Sequence, residues 1–172
     1  MRVSRSSSLG GRQRKRGPTK ESAEIPNVTY ADGKGAAVVA ARLINLAKEE
    51  KPFFLVMGFT KPHLTFVAPK KYWYLYKRKD FAMPKKIGVP LGYPRYAQEW
   101  RAGELRSYLD IPTDGSPAEF PMAFNKRLIH GYHACASYLD DNVGLLFKAL
   151  EKSGEADNTH CCVLGGSWLE IG

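Results

Sequence analysis

At 172 residues, with 44% hydrophobic and 25% charged residues, the chain is long enough to bury a core and too mixed to be a low-complexity or fibrous polypeptide. Its net charge of +9 invites a nucleic-acid partner, but Arg2, Arg5, Arg12, Arg14, Lys15, Arg16 and Lys20 supply seven of those charges before the first acid, so the rest is nearly neutral. No run is long and apolar enough to span a bilayer, and the basic start lacks the apolar segment of a secretory signal.

The opening residues, rich in Ser, Gly and Arg, have too little apolar surface to offset their ordering entropy, so residues 1–28 are expected to be a disordered basic tail. At its end, Asn27-Val28-Thr29 matches the short N-glycosylation acceptor pattern. Asp32 is placed to cap a helix whose apolar residues Val39, Ala40, Leu43, Ile44 and Ala47 recur at three and four. Lys48, Glu49, Glu50 and Lys51 end it in a charged turn, and Pro52 forbids continuation. Phe53-Phe-Leu-Val-Met57 then reads, with Gly58, as a strand covered on both faces. A helix followed by a buried strand is an α/β signature.

Residues 59–120 are mostly irregular and carry prolines at 62, 69, 84, 90, 94, 112 and 117. Such a length implies either an elaborated surface around a site or partial disorder. The stretch Lys70-Lys-Tyr-Trp-Tyr-Leu-Tyr-Lys-Arg-Lys79 has two readings. It can stack single-stranded bases on its rings, or it can pack Tyr72, Trp73 and Tyr76 while its lysines stay solvated; packing is favoured because the body is nearly neutral. From Ala123 to Lys152 a long helix is expected, with Phe124, Leu128, Tyr132, Cys135, Ala136, Leu139, Val143, Leu146 and Leu150 on its apolar face and Gly154 at its end. A loop over 156–159 leads to a second strand near His160.

Cys135 reads as a small core residue, and the adjacent Cys161 and Cys162 are poorly suited to bridging one another. The candidate chemistry sits in Lys61-Pro62-His63, at the end of the first expected strand, where α/β proteins gather functional groups. Pro62 fixes the turn between two groups able to donate hydrogen bonds to an anionic ester or its leaving group. On spacing alone a structural histidine remains the alternative.

Five blocks stand in order: Tyr30-Ala-Asp-Gly-Lys34, Lys51 to His63, Phe66-Val-Ala-Pro-Lys-Lys-Tyr-Trp73, Gly131-Tyr-His-Ala-Cys-Ala-Ser-Tyr-Leu-Asp-Asp-Asn-Val-Gly144, and Glu155-Ala-Asp-Asn-Thr159. Over residues 30–160, about three quarters of the chain, they resemble the middle of the sulfatase family, in its iduronate-2-sulfatase-like branch. The resemblance implies an α/β fold, a partial and incomplete alkaline-phosphatase/sulfatase-like mixed sheet with flanking helices, over residues 29–159. It implies a sulfuric ester hydrolase in which the Lys-Pro-His histidine contacts the sulfate ester, so His63 is the candidate catalytic residue and Lys61 and His63 the candidate substrate contacts. The implied partner is a sulfated carbohydrate or other sulfate ester, with nucleic acid the less favoured partner. Thr60 stands where many relatives have another histidine, and Thr65 where proline is usual.

Sulfatases use a formylglycine nucleophile made from the cysteine of a Cys-x-Pro-x-Arg or similar motif, with calcium holding sulfate oxygens. None of Cys135, Cys161 and Cys162 begins that motif, and the early Asp-Asp metal pair is missing. Asp140-Asp141 falls in the second long helix and reads as a surface pair, so no metal ligand is assigned. The next family landmark is a strand running into Asp-His-Gly-Trp-x-Leu-Gly, where this chain has His160 to Gly172. Synonymous codons exist for those residues which, read one base later, give Ile-Val-Val-Ser-Leu-Gly-Asp-His-Gly-Trp-Lys-Leu-Gly. Residues 160–172 are therefore expected to be a frameshifted or aberrant ending, and the chain alone inactive. The alternative is a non-enzymatic polyanion- or nucleic-acid-binding module using the basic tail and residues 70–79. Relatives are secreted, lysosomal or periplasmic; no signal peptide marks this chain, and its localisation stays open.

Overall fold

The computed structural model describes residues 20–49, 51–83, 91, 92, 94, 104–112 and 120–165. In chain order these give a strand β1 (Lys20–Ala23), a helix α1 (Ala31–Leu46), a strand β2 (Phe66–Pro69), a single helical turn α2 (Lys70–Trp73) and a long helix α3 (Met122–Ser153). The chain forms two compact units, one from residues up to Glu24 with Pro62–Cys135, the other from Ile25–Lys61 with Ala136–Gly172. Helix α3 contributes its first part to one unit and its remainder to the other.

In the first unit β1 and β2 form a two-stranded parallel sheet, with Lys20 opposite Phe66 and Ala23 opposite Pro69. Ala68 and Pro69 are fully buried, and Pro69 leads straight into α2, whose Tyr72 and Trp73 are buried. Proline suits this position, because it closes the strand and its fixed φ opens the turn that follows. The Trp73 indole N–H donates to the Ala68 carbonyl (3.2 Å), and the Trp73 carbonyl lies 2.8 Å from Nε2 of the buried His130. The His130 ring is enclosed by Trp73, Tyr76 and Phe81, with centroids 5.1, 6.5 and 5.7 Å away. Gly131 lets α3 approach: a Cβ there would lie 2.8 Å from Phe66 Cβ and 3.0 Å from Trp73 Cη2. A second apolar cluster of Tyr108, Ile111 and Phe120 holds Leu64, Leu105, Phe124 and Leu128 against it. Parts of the proline-rich stretch are thus packed, through Leu64, Ala68, Tyr72, Trp73, Tyr108 and Ile111, while Tyr74, Leu75 and Leu91 are exposed.

In the second unit α1 owes its helicity to five alanines and to a buried stripe of Ala36, Ala40 and Leu43. The fully buried Tyr138 of α3 joins α1 to the turn before it: its hydroxyl donates to the Asn27 carbonyl (2.7 Å) and accepts from the Gly33 amide (2.8 Å). Gly154, at φ +81°, ends α3 as expected, and the Ser153 hydroxyl donates to the Leu150 carbonyl (2.6 Å).

Four expectations are corrected. The stretch 53–58 is not a strand: no ladder reaches it among the described residues, although Phe53, Leu55, Met57 and Phe59 are half-buried and Phe54 and Val56 exposed, the alternation of a strand without neighbours. Residues 160–165 are likewise exposed and without regular structure. Lys20–Ala23 lies inside the stretch expected to be disordered, because it finds a ladder partner in Phe66–Pro69. On α3 the expected Cys135 and Leu150 are buried, but Tyr132 is 48% exposed and Gly131, Ala134, Tyr138 and Asn142, outside the expected face, are buried; small residues let elements approach, and apolar periodicity weights large ones. Residues 1–19 and 166–172 lie outside the described residues.

Candidate functional site

The two candidate residues fall in different units: Lys61 ends the first stretch of the second unit, and His63 follows Pro62, which opens the second stretch of the first unit. Each has its own support.

Lys61 is held from below by Asp32. This aspartate sits in the first turn of α1 at only 5% exposure, rather than at the cap position, which Tyr30 occupies. The Thr60 amide lies 3.2 Å from both Asp32 carboxylate oxygens, the Thr60 hydroxyl donates to Oδ1 (2.8 Å), and the Lys61 amide donates to Oδ2 (2.9 Å). A carboxylate only accepts, so three donors from two consecutive residues match it well. The Met57 side chain lies over Gly35 of α1.

His63 is exposed. Its Nδ1 lies 2.9 Å from the Leu64 carbonyl and its Nε2 3.3 Å from the Glu104 carboxylate. Both partners are hydrogen-bond acceptors. Leu64, the next residue, packs against Tyr108, Ile111 and Phe120 and anchors the loop. Asp32 and Glu104 are the residues that sequence reasoning missed. Asp32 did stand inside the Tyr30-to-Lys34 block; nothing local marked Glu104.

Among the described residues no group of three or more His, Cys, Asp or Glu side chains is placed to hold a metal ion. Asp141 instead accepts a hydrogen bond from the Asn27 side chain at 2.6 Å, and Asp140 is exposed. Among the described residues these side chains do not fit the family's metal. Cys135 is buried with Sγ 3.7 Å from the Val67 carbonyl, while Cys161 and Cys162 are exposed. A cavity of about 120 Å³ in the second unit is lined by Asn27, Val28, Gly33, Asp141, Asn142, Leu145 and Lys148. No helix among the described residues is long and apolar enough to cross a membrane.

In the basic-aromatic stretch, Tyr72 and Trp73 are spent on packing, and Tyr74 is exposed. The Lys70 ammonium is held above the ordinary lysine range by its hydrogen bond to Tyr74, with Glu24 (3.6 Å) adding to the effect. Tyr72 and Trp73 thus take the packing role expected of them, while Tyr74 stays on the surface.

Comparison with known proteins agrees with this α/β arrangement. A model of the Sulfatase family matches residues 10–166, so the chain belongs to the sulfatase family, whose fold is alkaline-phosphatase-like α/β. It is 31% identical over 140 residues to human iduronate 2-sulfatase, covering 79% of this chain and 25% of that protein. The mouse iduronate 2-sulfatase matches at 30% over 141 residues, and a choline-sulfatase of Rhizobium meliloti at 28% over 163, covering 87% of this chain and 30% of that one. The chain thus spans about a quarter of the length of the iduronate 2-sulfatases it matches.

Proposed function

We propose that this chain carries the sulfate-recognition loop of an iduronate-2-sulfatase-like sulfuric ester hydrolase, with His63 as the catalytic residue touching the ester and Lys61 as a second sulfate contact. The observation supporting this reading most is Lys61-Pro62-His63 itself, at the end of an apolar run in a chain of the sulfatase family. A sulfate ester spreads one negative charge over its non-bridging oxygens, and more charge develops on the bridging oxygen as the sulfur–oxygen bond breaks. Lys61 is suited to the first charge as an ammonium, and His63 to the second as an N–H donor.

The formylglycine nucleophile has no source cysteine in this sequence, and calcium, which would hold sulfate oxygens in the intact enzyme, finds no ligand set among the described residues. The chain is therefore read as a middle portion that binds anions weakly and hydrolyses nothing alone. Its ending at 160–172 is read as a frameshifted metal strand. The substrate class is a sulfated carbohydrate or other sulfate ester.

The test is a sulfate titration of the 172-residue chain at constant ionic strength, with chloride as reference and amide resonances as readout. Saturable binding on the order of millimolar is expected, weakened about tenfold by Lys61→Met or His63→Ala. Glu104→Ala, which removes the acceptor from Nε2 of His63, should tighten it about two- to fivefold, the worth of an exposed pair. Unchanged affinity in both Lys61→Met and His63→Ala would overturn the reading.

A further inference from the structure

We infer that Asp32 is a positioning residue for Lys61: its buried carboxylate fixes the Thr60–Lys61 backbone so that the Lys61 ammonium is presented to an anion. The inference rests on the reading of Lys61 as a sulfate contact and adds a residue from a distant part of the chain. Asp32 is 28 and 29 residues from its partners, it is 5% exposed, and all three donors it receives come from Thr60 and Lys61. A loop that needed only closing would be served by one such bond. Here the amide of Thr60, its hydroxyl and the amide of Lys61 converge on one carboxylate, which fixes the peptide plane between the two residues and hence the direction in which the Lys61 side chain leaves it. The support under that carboxylate is rigid, since Asp32 lies in the first turn of α1 and the next residue, Gly33, donates its amide to the buried Tyr138 hydroxyl. Flexible lysines lose rotamer entropy on gripping an anion, and a pinned backbone reduces what remains to be ordered.

Asp32→Asn keeps the shape but offers one acceptor oxygen and one NH2 group to three donors, so at least one Thr60 or Lys61 donor faces another donor. Amide exchange and sulfate titration on the full chain, by the same resonances, test the inference. Asp32→Asn should lower protection at Thr60 and Lys61 by about tenfold or more, leave the Ala36 and Ala40 amides of α1 protected, and weaken sulfate about tenfold. Asp32→Asn combined with Lys61→Met should bind no more weakly than Lys61→Met alone, because the aspartate acts through the lysine. Thr60→Val, which deletes only the hydroxyl donor, should fall between wild type and Asp32→Asn, and it serves if the latter does not fold. Equal sulfate affinity in wild type and Asp32→Asn, with Lys61→Met still weakened, overturns this inference and leaves the functional reading standing. Sulfate that binds wild type and Lys61→Met equally removes Lys61 as a contact and the inference with it.

Discussion

Two apolar segments only seven residues apart have opposite fates. Phe66–Pro69 pairs in parallel register with Lys20–Ala23 and is backed by Trp73 and Gly131, whereas residues 53–59 pair with nothing among the described residues. The longer and more apolar of the two is the one left without a ladder. Phe54 is 92% exposed and Val56 69%. Strand formation is a property of a pair of segments and of what covers them, not of a run of β-formers. The iduronate 2-sulfatases that this chain matches are about four times longer than the part it covers.

The largest expected effect tests the paired segment. Trp73→Ala removes a buried indole, its bond to the Ala68 carbonyl and the wall of the His130 ring, and should cost about 3–5 kcal/mol in urea unfolding. A loss under about 1 kcal/mol would mean that the β1–β2 sheet does not depend on this packing. Tyr138→Phe acts on the second unit, leaving the Asn27 carbonyl and Gly33 amide without their shared hydroxyl, and should cost about 1–3 kcal/mol by the same measurement. The smallest effect belongs to the unpaired segment. Phe54→Ser with Val56→Thr should change stability by no more than about 0.5 kcal/mol each while reducing aggregation in light scattering, because both side chains are already exposed. A large destabilisation there would show that these side chains are covered in solution.

The helices were legible in the sequence because their signals are local. Ala-rich periodicity, Pro52 beyond α1 and Gly154 at the end of α3 each act within a turn or two, and the observed bounds Ala31–Leu46 and Met122–Ser153 follow them closely. Tyr72, Trp73 and Cys135 were legible as core residues for the same reason. The strands were not, since Lys20–Ala23 has no apolar pattern and is recruited by Phe66–Pro69 across more than forty residues. Of the candidate site, the Lys61-Pro62-His63 loop was legible as a motif. Its supports were not: Asp32 reads locally as a helix cap, yet its partners are Thr60 and Lys61, and Glu104 meets His63 from far along the chain. Spacing in sequence carries no information about such contacts.

The central claim is that residues 30–160 are the middle of a sulfatase whose nucleophile and metal strand are encoded in neighbouring sequence. Sequencing the genomic DNA and transcript across codons 150–172 and well beyond both ends tests it most directly. The account predicts a one-base shift near codon 160 that restores Asp-His-Gly-Trp, with a Cys-x-Pro-x-Arg codon run upstream. A confirmed reading frame through codon 172, with no nucleophile motif upstream, would contradict it and leave a chain of sulfatase ancestry that hydrolyses no ester.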